Sequence, residues 1–469
     1  MCGLVGVVGD SQDGAGAAID MLLSLLNRGP ESLGFVVSGR TGVSHVPAND
    51  LLSNKDMEVS AVQQQLHGGS IISGHGRYST SGSKDLIPTP LVWGTAASGR
   101  FALAHNGTLE NWEELNHRYG ISTILDSQTA LEIIAHKWQS GLSFEQALLE
   151  ALPEFVGAYS FLIQTRDALY AVRDPRGFRP LCLGKRNGAW LFASETIALE
   201  KVGAQIERNI ERGEVLRCTT NGLETIATLP RGEGEHYCIF EHVYFSRPDS
   251  LVLGTARRDD GLSKQVANYR IAMGERLAQE HPVITAYPRD RIVIVPVPDS
   301  GNYAAEGFAR ESGLPLSRGL VRDINIGRTF MQKCDHARAI GVRRKLSVIT
   351  RLITGMVVVL VDDSIMRGFT SHKIVHMVRA AGAAEVHMRI SCPPTRWPCR
   401  YGVDFPTREE LVAARLSVEE IRESINADSL GYLSLEDLRA ACEEGPLPRY
   451  CTACYTGEYP TSQEHLVQL

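Results

Sequence analysis

The feature that most constrains this chain is the run Val357-Val358-Val359-Leu360-Val361-Asp362-Asp363, followed by Ser364-Ile365-Met366-Arg367-Gly368-Phe369-Thr370-Ser371. The uninterrupted apolar run is strand length, and a helical pattern covers residues 371–381. Strand, short loop and helix in that order imply a parallel α/β sheet, whose ligands bind at the carboxyl ends of the strands. Adjacent acidic residues are by default a solvated turn. After a fully apolar strand, and before a Ser/Arg/Gly/Thr loop, Asp362 and Asp363 are instead placed to hold ribose hydroxyls and a metal ion. Ser364 and the backbone N–H groups and hydroxyls of Arg367, Gly368, Thr370 and Ser371 then form a cradle for a 5'-phosphate at the helix N-terminus. A second strand-like run, residues 292–297, leads into Pro298-Asp299-Ser300-Gly301.

That sheet cannot account for the whole molecule, because 469 residues exceed one core and scale to about two or three domains. In residues 1–230, short apolar runs at 4–8, 70–73, 101–104, 159–164 and 189–193 alternate with turn signals and a few helical stretches. This pattern predicts stacked sheets with flanking helices. Residues 229–235 are rich in Gly, Pro and charge and read as the linker, giving domains 1–230 and 231–469. With 43% hydrophobic and 22% charged residues the chain is of globular type, and a net charge of -6 gives no surface directed at nucleic acid or an anionic membrane. No apolar run reaches the roughly 18 residues of a spanning helix, and the first residues lack the basic region of a secretory signal. The expected setting is cytoplasmic, where ten cysteines are thiols, catalytic groups or metal ligands rather than a disulfide framework.

At the amino terminus Cys2 follows Met1. A small side chain there permits removal of Met1, which leaves a thiol of pKa ~8.5 beside an amine of pKa ~7.7–8.0, nucleophile and general base in one residue. A Met-Cys start is common and says little alone. Its weight comes from four blocks that follow in order: Arg28-Gly29-Pro30-Glu31-Ser32-Leu33-Gly34, Gly74-His75-Gly76-Arg77-Tyr78-Ser79-Thr80-Ser81-Gly82, Ala104-His105-Asn106-Gly107-Thr108-Leu109-Glu110-Asn111, and Leu125-Asp126-Ser127. A free glutamine presents a carboxylate, an ammonium and an amide. Arg77 can fork onto the carboxylate and Asp126 can accept from the ammonium. The Asn106 side-chain amide and the Gly107 N–H can donate to the oxyanion formed when a thiolate attacks the amide.

These blocks resemble the glutaminase domain of the N-terminal-nucleophile amidotransferases. The resemblance implies an α+β αββα sandwich in which the cysteine forms a glutamyl thioester and releases ammonia, with His75 and Tyr78 shaping the site. Residues 357–371 resemble the type I phosphoribosyltransferases, which implies an α/β second domain with a parallel sheet. In that family the Pro-Asp-Ser-Gly segment contacts Mg2+ and pyrophosphate, and a lysine-bearing loop closes over the substrate. Matched residue by residue, Ser300 lies near the metal, and Arg328, Arg338 and Lys345 lie on the phosphates. The implied reaction moves ammonia from glutamine to C1 of phosphoribosyl pyrophosphate, with a dry path between the two sites.

Four cysteines complete the pattern: Cys238 before Ile239-Phe240-Glu241-His242, Cys399 before Arg400-Tyr401-Gly402, and the pair Cys451-Thr452-Ala453-Cys454. From the residues alone, zinc, an iron–sulfur group and free thiols all stay open. The contexts resemble the iron–sulfur branch of the amidophosphoribosyltransferases, which implies a [4Fe-4S] cluster on these four with a structural or oxygen-sensing role. Cys182, Cys218, Cys334, Cys392 and Cys442 read as small buried hydrophobes. The resemblance extends over nearly the whole chain, including Asp174-Pro175-Arg176-Gly177-Phe178-Arg179-Pro180 and Ala193-Ser194-Glu195. It implies the first committed step of de novo purine synthesis, purine nucleotides as feedback inhibitors and a homotetramer, with no nucleic-acid or membrane partner. The chain departs from the family pattern at Pro30 (usually Gln), Gly76 (usually larger), Gln128 (usually Glu), Phe369 (usually Thr), Asp323-Ile324-Asn325, Lys333 and Asp335; a propeptide ahead of Cys2, common in that branch, is not expected. These departures keep a second reading open, a diverged paralogue that senses phosphoribosyl pyrophosphate or nucleotides, or serves a specialised nucleoside pathway. Retention of Cys2, Arg77, Asn106, Asp126, Asp362 and Asp363 stands against it.

Overall fold

The computed structural model describes residues 1–9, 13–39, 42–49, 51, 56–78, 89–95, 99–232, 234–252, 264–322, 346–405, 407–442 and 449–461. Strands of the first half are β1 (Gly3–Val8), β2 (Ser32–Gly39), β3 (Gly42–Pro47), β4 (Ile71–Arg77), β5 (Leu91–Thr95), β6 (Gly99–Leu109) and β7 (Gly157–Gln164). They continue with β8 (Leu169–Arg173), β9 (Cys182–Arg186), β10 (Ala189–Ala193), β11 (Gln205–Asn209), β12 (Glu214–Thr219) and β13 (Gly222–Thr228). They form two antiparallel sheets, ordered β11-β9-β10-β1-β4-β2-β3 and β13-β12-β8-β7-β6-β5. β1 shows why the apolar runs here lack alternation, since both of its faces are covered. Val5 and Val7 pack with helix Gly14–Ser24, while Leu4 and Val8 pack with Ala104, Leu162 and Ala171 of the second sheet. Helices Asp126–Gln139 and Phe144–Ala151 close the outer face of that second sheet. The layer order is therefore αββα, as expected.

In the second half, β14 (Tyr237–Cys238) pairs in parallel with the later β21 (Tyr450–Cys451). The main sheet is parallel throughout, ordered β15 (Ile292–Pro296), β18 (Val357–Asp362), β19 (Glu385–Ile390) and β20 (Ser429–Tyr432). β16 (Leu320–Arg322) and β17 (Leu346–Val348) form an antiparallel pair on either side of residues 323–345. β18 lies between β15 and β19 and is buried along its length. At roughly 1.5–3 kcal/mol for each fully buried Val or Leu, this strand anchors the domain and fixes where Asp362 emerges. Helix Phe369–Ala380 follows it, starting two residues earlier than the sequence pattern indicates. Among the described residues no helix is long and apolar enough to cross a membrane.

Candidate active site

The start of β1, the end of β4 and the middle of β6 converge on Cys2. The register Gly3↔Gly76 sets Arg77 beside Cys2. The Cys2 N–H donates to Asn106 Oδ1 at 3.1 Å, the thiol lies 3.8 Å from the Tyr78 carbonyl oxygen, and Arg28 Nε donates to the Cys2 carbonyl at 3.2 Å. Asn106 is fully buried, and its Nδ2 has no hydrogen-bond partner. A donor left open in this way is costly unless something negative arrives to accept it. Gly107 follows directly on the same strand.

Asp126 opens its helix and is held by its neighbours: Oδ2 accepts from the Leu109 N–H at 3.0 Å and Oδ1 from the Ser127 N–H at 2.8 Å. His105 Nδ1 lies 3.6 Å from Asp126 and 2.9 Å from Ser127 Oγ, and burial keeps its pKa low in spite of the carboxylate. His75 is pulled down to about 3, first by burial and then by His105 and Arg77, so it is a neutral wall of the pocket. Arg77 is half-buried, its carbonyl accepting from the Glu31 N–H at 3.1 Å. A Cβ placed on Gly76 would lie 2.9 Å from the Gly29 carbonyl oxygen, so a larger residue there requires the Arg28–Gly29 backbone to move. The other departure, Gln128, accepts from Thr123 Oγ1 at 2.9 Å.

Sequence reasoning missed the charge network beneath this pocket. Arg28 reaches Glu195 at 2.8 Å and Glu241 at 2.7 Å, and Arg179 reaches Glu241 at 3.4 Å, all four side chains buried. Burial raises the Glu241 pKa, but the Arg28 and Arg179 charges and the hydrogen bonds from Arg28 and Ser246 together outweigh it and hold the carboxyl below its ordinary range. Glu241 follows β14 and the two arginines belong to the first half, so the network joins the halves directly behind the nucleophile.

At the end of β18, Asp362 and Asp363 are both buried. Asp362 Oδ1 accepts from the Asp363 N–H at 2.9 Å and from Ser300 Oγ at 3.5 Å, and Ser364 Oγ donates to Asp363. Burial, and then the Asp363 charge, push Asp362 well above the carboxylate range. Gly368 caps the following helix, Ser371 is buried, and Thr370 is exposed. Arg367 turns its guanidinium onto Glu410 at 3.0 Å, which leaves its backbone for an anion. Phe369 is 58% exposed where the family usually has a hydroxyl. Arg328, Arg338 and Lys345 lie outside the described residues, with Asp323, Lys333, Cys334 and Asp335.

Cys238 and Cys451 face each other across β14 and β21. With Cys399 and Cys454 they line one pocket walled by Phe178, Phe240, Tyr401 and Phe405, and none is in a disulfide. Burial raises Cys238 to about 11 and pushes Cys451 and Cys454 up as well. Among the described residues no three His, Cys, Asp or Glu side chains converge as ligands of a single ion. Cys182, Cys218, Cys392 and Cys442 are buried elsewhere.

An αββα sandwich with a nucleophile at its terminus, joined to a parallel sheet ending in paired carboxylates, defines a glutamine amidotransferase of the two-domain phosphoribosyltransferase type. A glutamine amidotransferase domain model matches residues 89–201. Similar proteins include the chloroplastic amidophosphoribosyltransferase of Vigna aconitifolia, 40% identical over 99% of this chain and 92% of its own length. The Synechocystis amidophosphoribosyltransferase is 38% identical over 98% of this chain and 90% of its own. The glutamine phosphoribosylpyrophosphate amidotransferase of B. subtilis, solved with ADP and GMP, superposes with a TM-score of 0.83 at 36% identity, covering 98% of each chain. The chain belongs to the amidophosphoribosyltransferase family.

Proposed function

We propose that this chain hydrolyses glutamine at Cys2 and passes the ammonia to C1 of phosphoribosyl pyrophosphate, giving 5-phosphoribosylamine, glutamate and pyrophosphate, the first committed step of de novo purine synthesis. The observation that carries this reading is the pairing of the Cys2 N–H with Asn106 Oδ1 at 3.1 Å, with the Nδ2 donor of Asn106 buried and open. Removal of Met1 converts the Cys2 N–H into an amine. In the unprocessed chain the Met1 amine is lowered to about 6, first by burial. The amine takes the thiol proton, the thiolate attacks the amide carbon, and Asn106 Nδ2 with the Gly107 N–H receives the oxyanion. Arg77 and Asp126 hold the substrate's carboxylate and ammonium. The protonated Cys2 amine returns the proton to the amide nitrogen as the adduct collapses, which expels ammonia, and water then releases glutamate from the thioester.

In the second half Ser300, Asp362 and Asp363 would hold Mg2+. The raised Asp362 and its close neighbour Asp363 fit a cation, since two buried carboxylates cannot both ionise cheaply without one. Bound Mg2+ supplies charge neutralisation to the departing pyrophosphate. Ser364, Thr370, Ser371 and the backbone of Arg367 and Gly368 would take the 5'-phosphate, with Arg328, Arg338 and Lys345 on the pyrophosphate. Cys238, Cys399, Cys451 and Cys454 would hold a [4Fe-4S] cluster; four thiols lining one largely apolar pocket are the donor set that such a group takes. Feedback by purine nucleotides, a tetrameric state and a cytoplasmic setting belong to the same proposal; the B. subtilis protein was solved with ADP and GMP, and plant relatives are named chloroplastic. The test is a steady-state assay of anaerobically purified protein with glutamine and phosphoribosyl pyrophosphate. Glutamate and pyrophosphate should appear in equal amounts; glutamate without pyrophosphate would reduce the protein to a glutaminase, and neither product would favour the sensor.

A further inference from the structure

We infer that the loop Cys399-Arg400-Tyr401-Gly402 is a positioning element for the glutaminase centre, with Gly402 seating Gly107, whose N–H donates to the oxyanion. This rests on the glutaminase reading above. Gly402 has φ 98° and lies so close to β6 that an added Cβ would stand 2.7 Å from the Gly107 carbonyl carbon and 2.9 Å from its oxygen. A Cβ added to Gly107 would in turn stand 2.0 Å from the Ala158 carbonyl oxygen. Gly107, the residue that carries the donor N–H, is thus wedged between β7 of its own sandwich and a loop from the other half of the chain.

The loop is fastened at several independent points. Arg179 Nε donates to the Tyr401 carbonyl at 2.7 Å, and the Tyr401 ring stacks on Phe178 at 4.1 Å. The Tyr401 N–H donates to Cys399 Sγ at 3.3 Å, which ties the turn to that sulfur. Tyr401 Oη bonds Thr461 Oγ1 at 2.7 Å, and Thr461 donates to Glu110, three residues beyond Gly107. Arg400 lies 3.7 Å from the same Glu110. One loop therefore packs on the Cα and carbonyl of Gly107 and also grips the chain just after it. A donor that stabilises developing charge acts only if it is fixed before the charge appears, and a misplacement near 1 Å costs about 10²-fold. The sandwich alone supplies one wall of that fixation, and the loop supplies the other.

The test is Gly402→Ala in the full chain. Glutaminase kcat should fall about 10-fold or more while KM for glutamine moves less than about threefold, because the displaced donor acts on the oxyanion and not on the bound substrate. The rate with ammonium salt in place of glutamine, and alkylation of Cys2 by iodoacetamide, should stay within about twofold of wild type. An unchanged glutaminase kcat in protein with an intact ammonia-dependent rate overturns the inference. Should the substitution also abolish the ammonia-dependent rate, Tyr401→Phe decides, since it keeps the stack on Phe178 and removes only the hydroxyl bonded to Thr461. That variant should lose about threefold in glutaminase kcat with the ammonia-dependent rate intact, and no loss there overturns the inference. A wild-type protein without glutaminase activity would instead sink the reading beneath it.

Discussion

In the first half, Cys2 is held by Asn106 from 104 residues away and by Arg28 from another part of the sandwich, whereas in the second half the groups from Asp362 to Ser371 occupy one unbroken stretch of chain. The difference is in when each site becomes complete. A site assembled from distant strands exists only once the sandwich has closed, and from then on its groups are fixed without substrate, as the buried, open Asn106 donor shows. A site written on one strand end and its loop is positioned chiefly by β18, with Ser300 reaching in from the loop after β15, but it carries two buried carboxylates whose charges repel until a partner arrives. The first site is preorganised by long-range contacts, and the second is conditional on its ligand.

The harshest test of that contrast removes the nucleophile. Cys2→Ala should lower glutamine-dependent turnover roughly 10⁴-fold while leaving the ammonia-dependent reaction in place; loss of both rates together would mean that the second site is not independent. Next in size is the network that joins the halves. Glu241→Gln leaves Arg28 and Arg179 without their shared carboxylate in a fully buried setting, and removal of one partner from such a pair costs about 3–5 kcal/mol. Thermal unfolding should report it as a large fall in midpoint. A shift too small to measure would show that water reaches the network and that the halves do not depend on it. Smaller again is Asp362→Asn, which should reduce phosphoribosyl transfer about 10²-fold with either nitrogen source and spare glutamine hydrolysis. Equal damage to hydrolysis would break the picture of a locally written site.

The same contrast governs what the sequence makes legible. β18 and the helix after it follow from an apolar run and a loop that stand side by side in the chain, and the structure moves the helix start by only two residues. β1 and β10 are equally readable, because strands covered on both faces appear as continuous apolar runs. The charge network is not readable. Arg28 and Glu241 stand in recognisable blocks, but residues 213 apart have no spacing that announces contact. Nor does the Gly402 side of the Gly107 peptide leave any trace, since two glycines in contact offer no pattern of charge or polarity. Ligand chemistry is local and leaves a motif, while the packing that holds it in place is distributed and leaves none.

The gentlest probe asks whether the interface between the halves senses acid. His242 follows Glu241, is fully buried, stacks on Tyr269 at 4.9 Å, and has no partner on either ring nitrogen. Burial first, with Arg270 and Arg449 adding and Glu241 opposing, lowers its pKa from 6.5 to about 4. The folded value lies below the unfolded one, so the unfolded chain takes up the proton first. The stabilising contribution is full above about pH 6.5 and is lost as pH falls through about 4, at up to roughly 1.4 kcal/mol per pH unit. His75, lowered to about 3 in the glutamine pocket, acts with the same sign, whereas Asp174, raised by burial to about 6, acts with the opposite one. His242→Phe keeps a ring against Tyr269 and removes the titration, so unfolding followed from pH 6.5 to 4 should show a shallower acid limb that His75 still slopes. An unchanged limb would mean that the interface opens to water before the sandwich does, and that the two halves come apart before either unfolds.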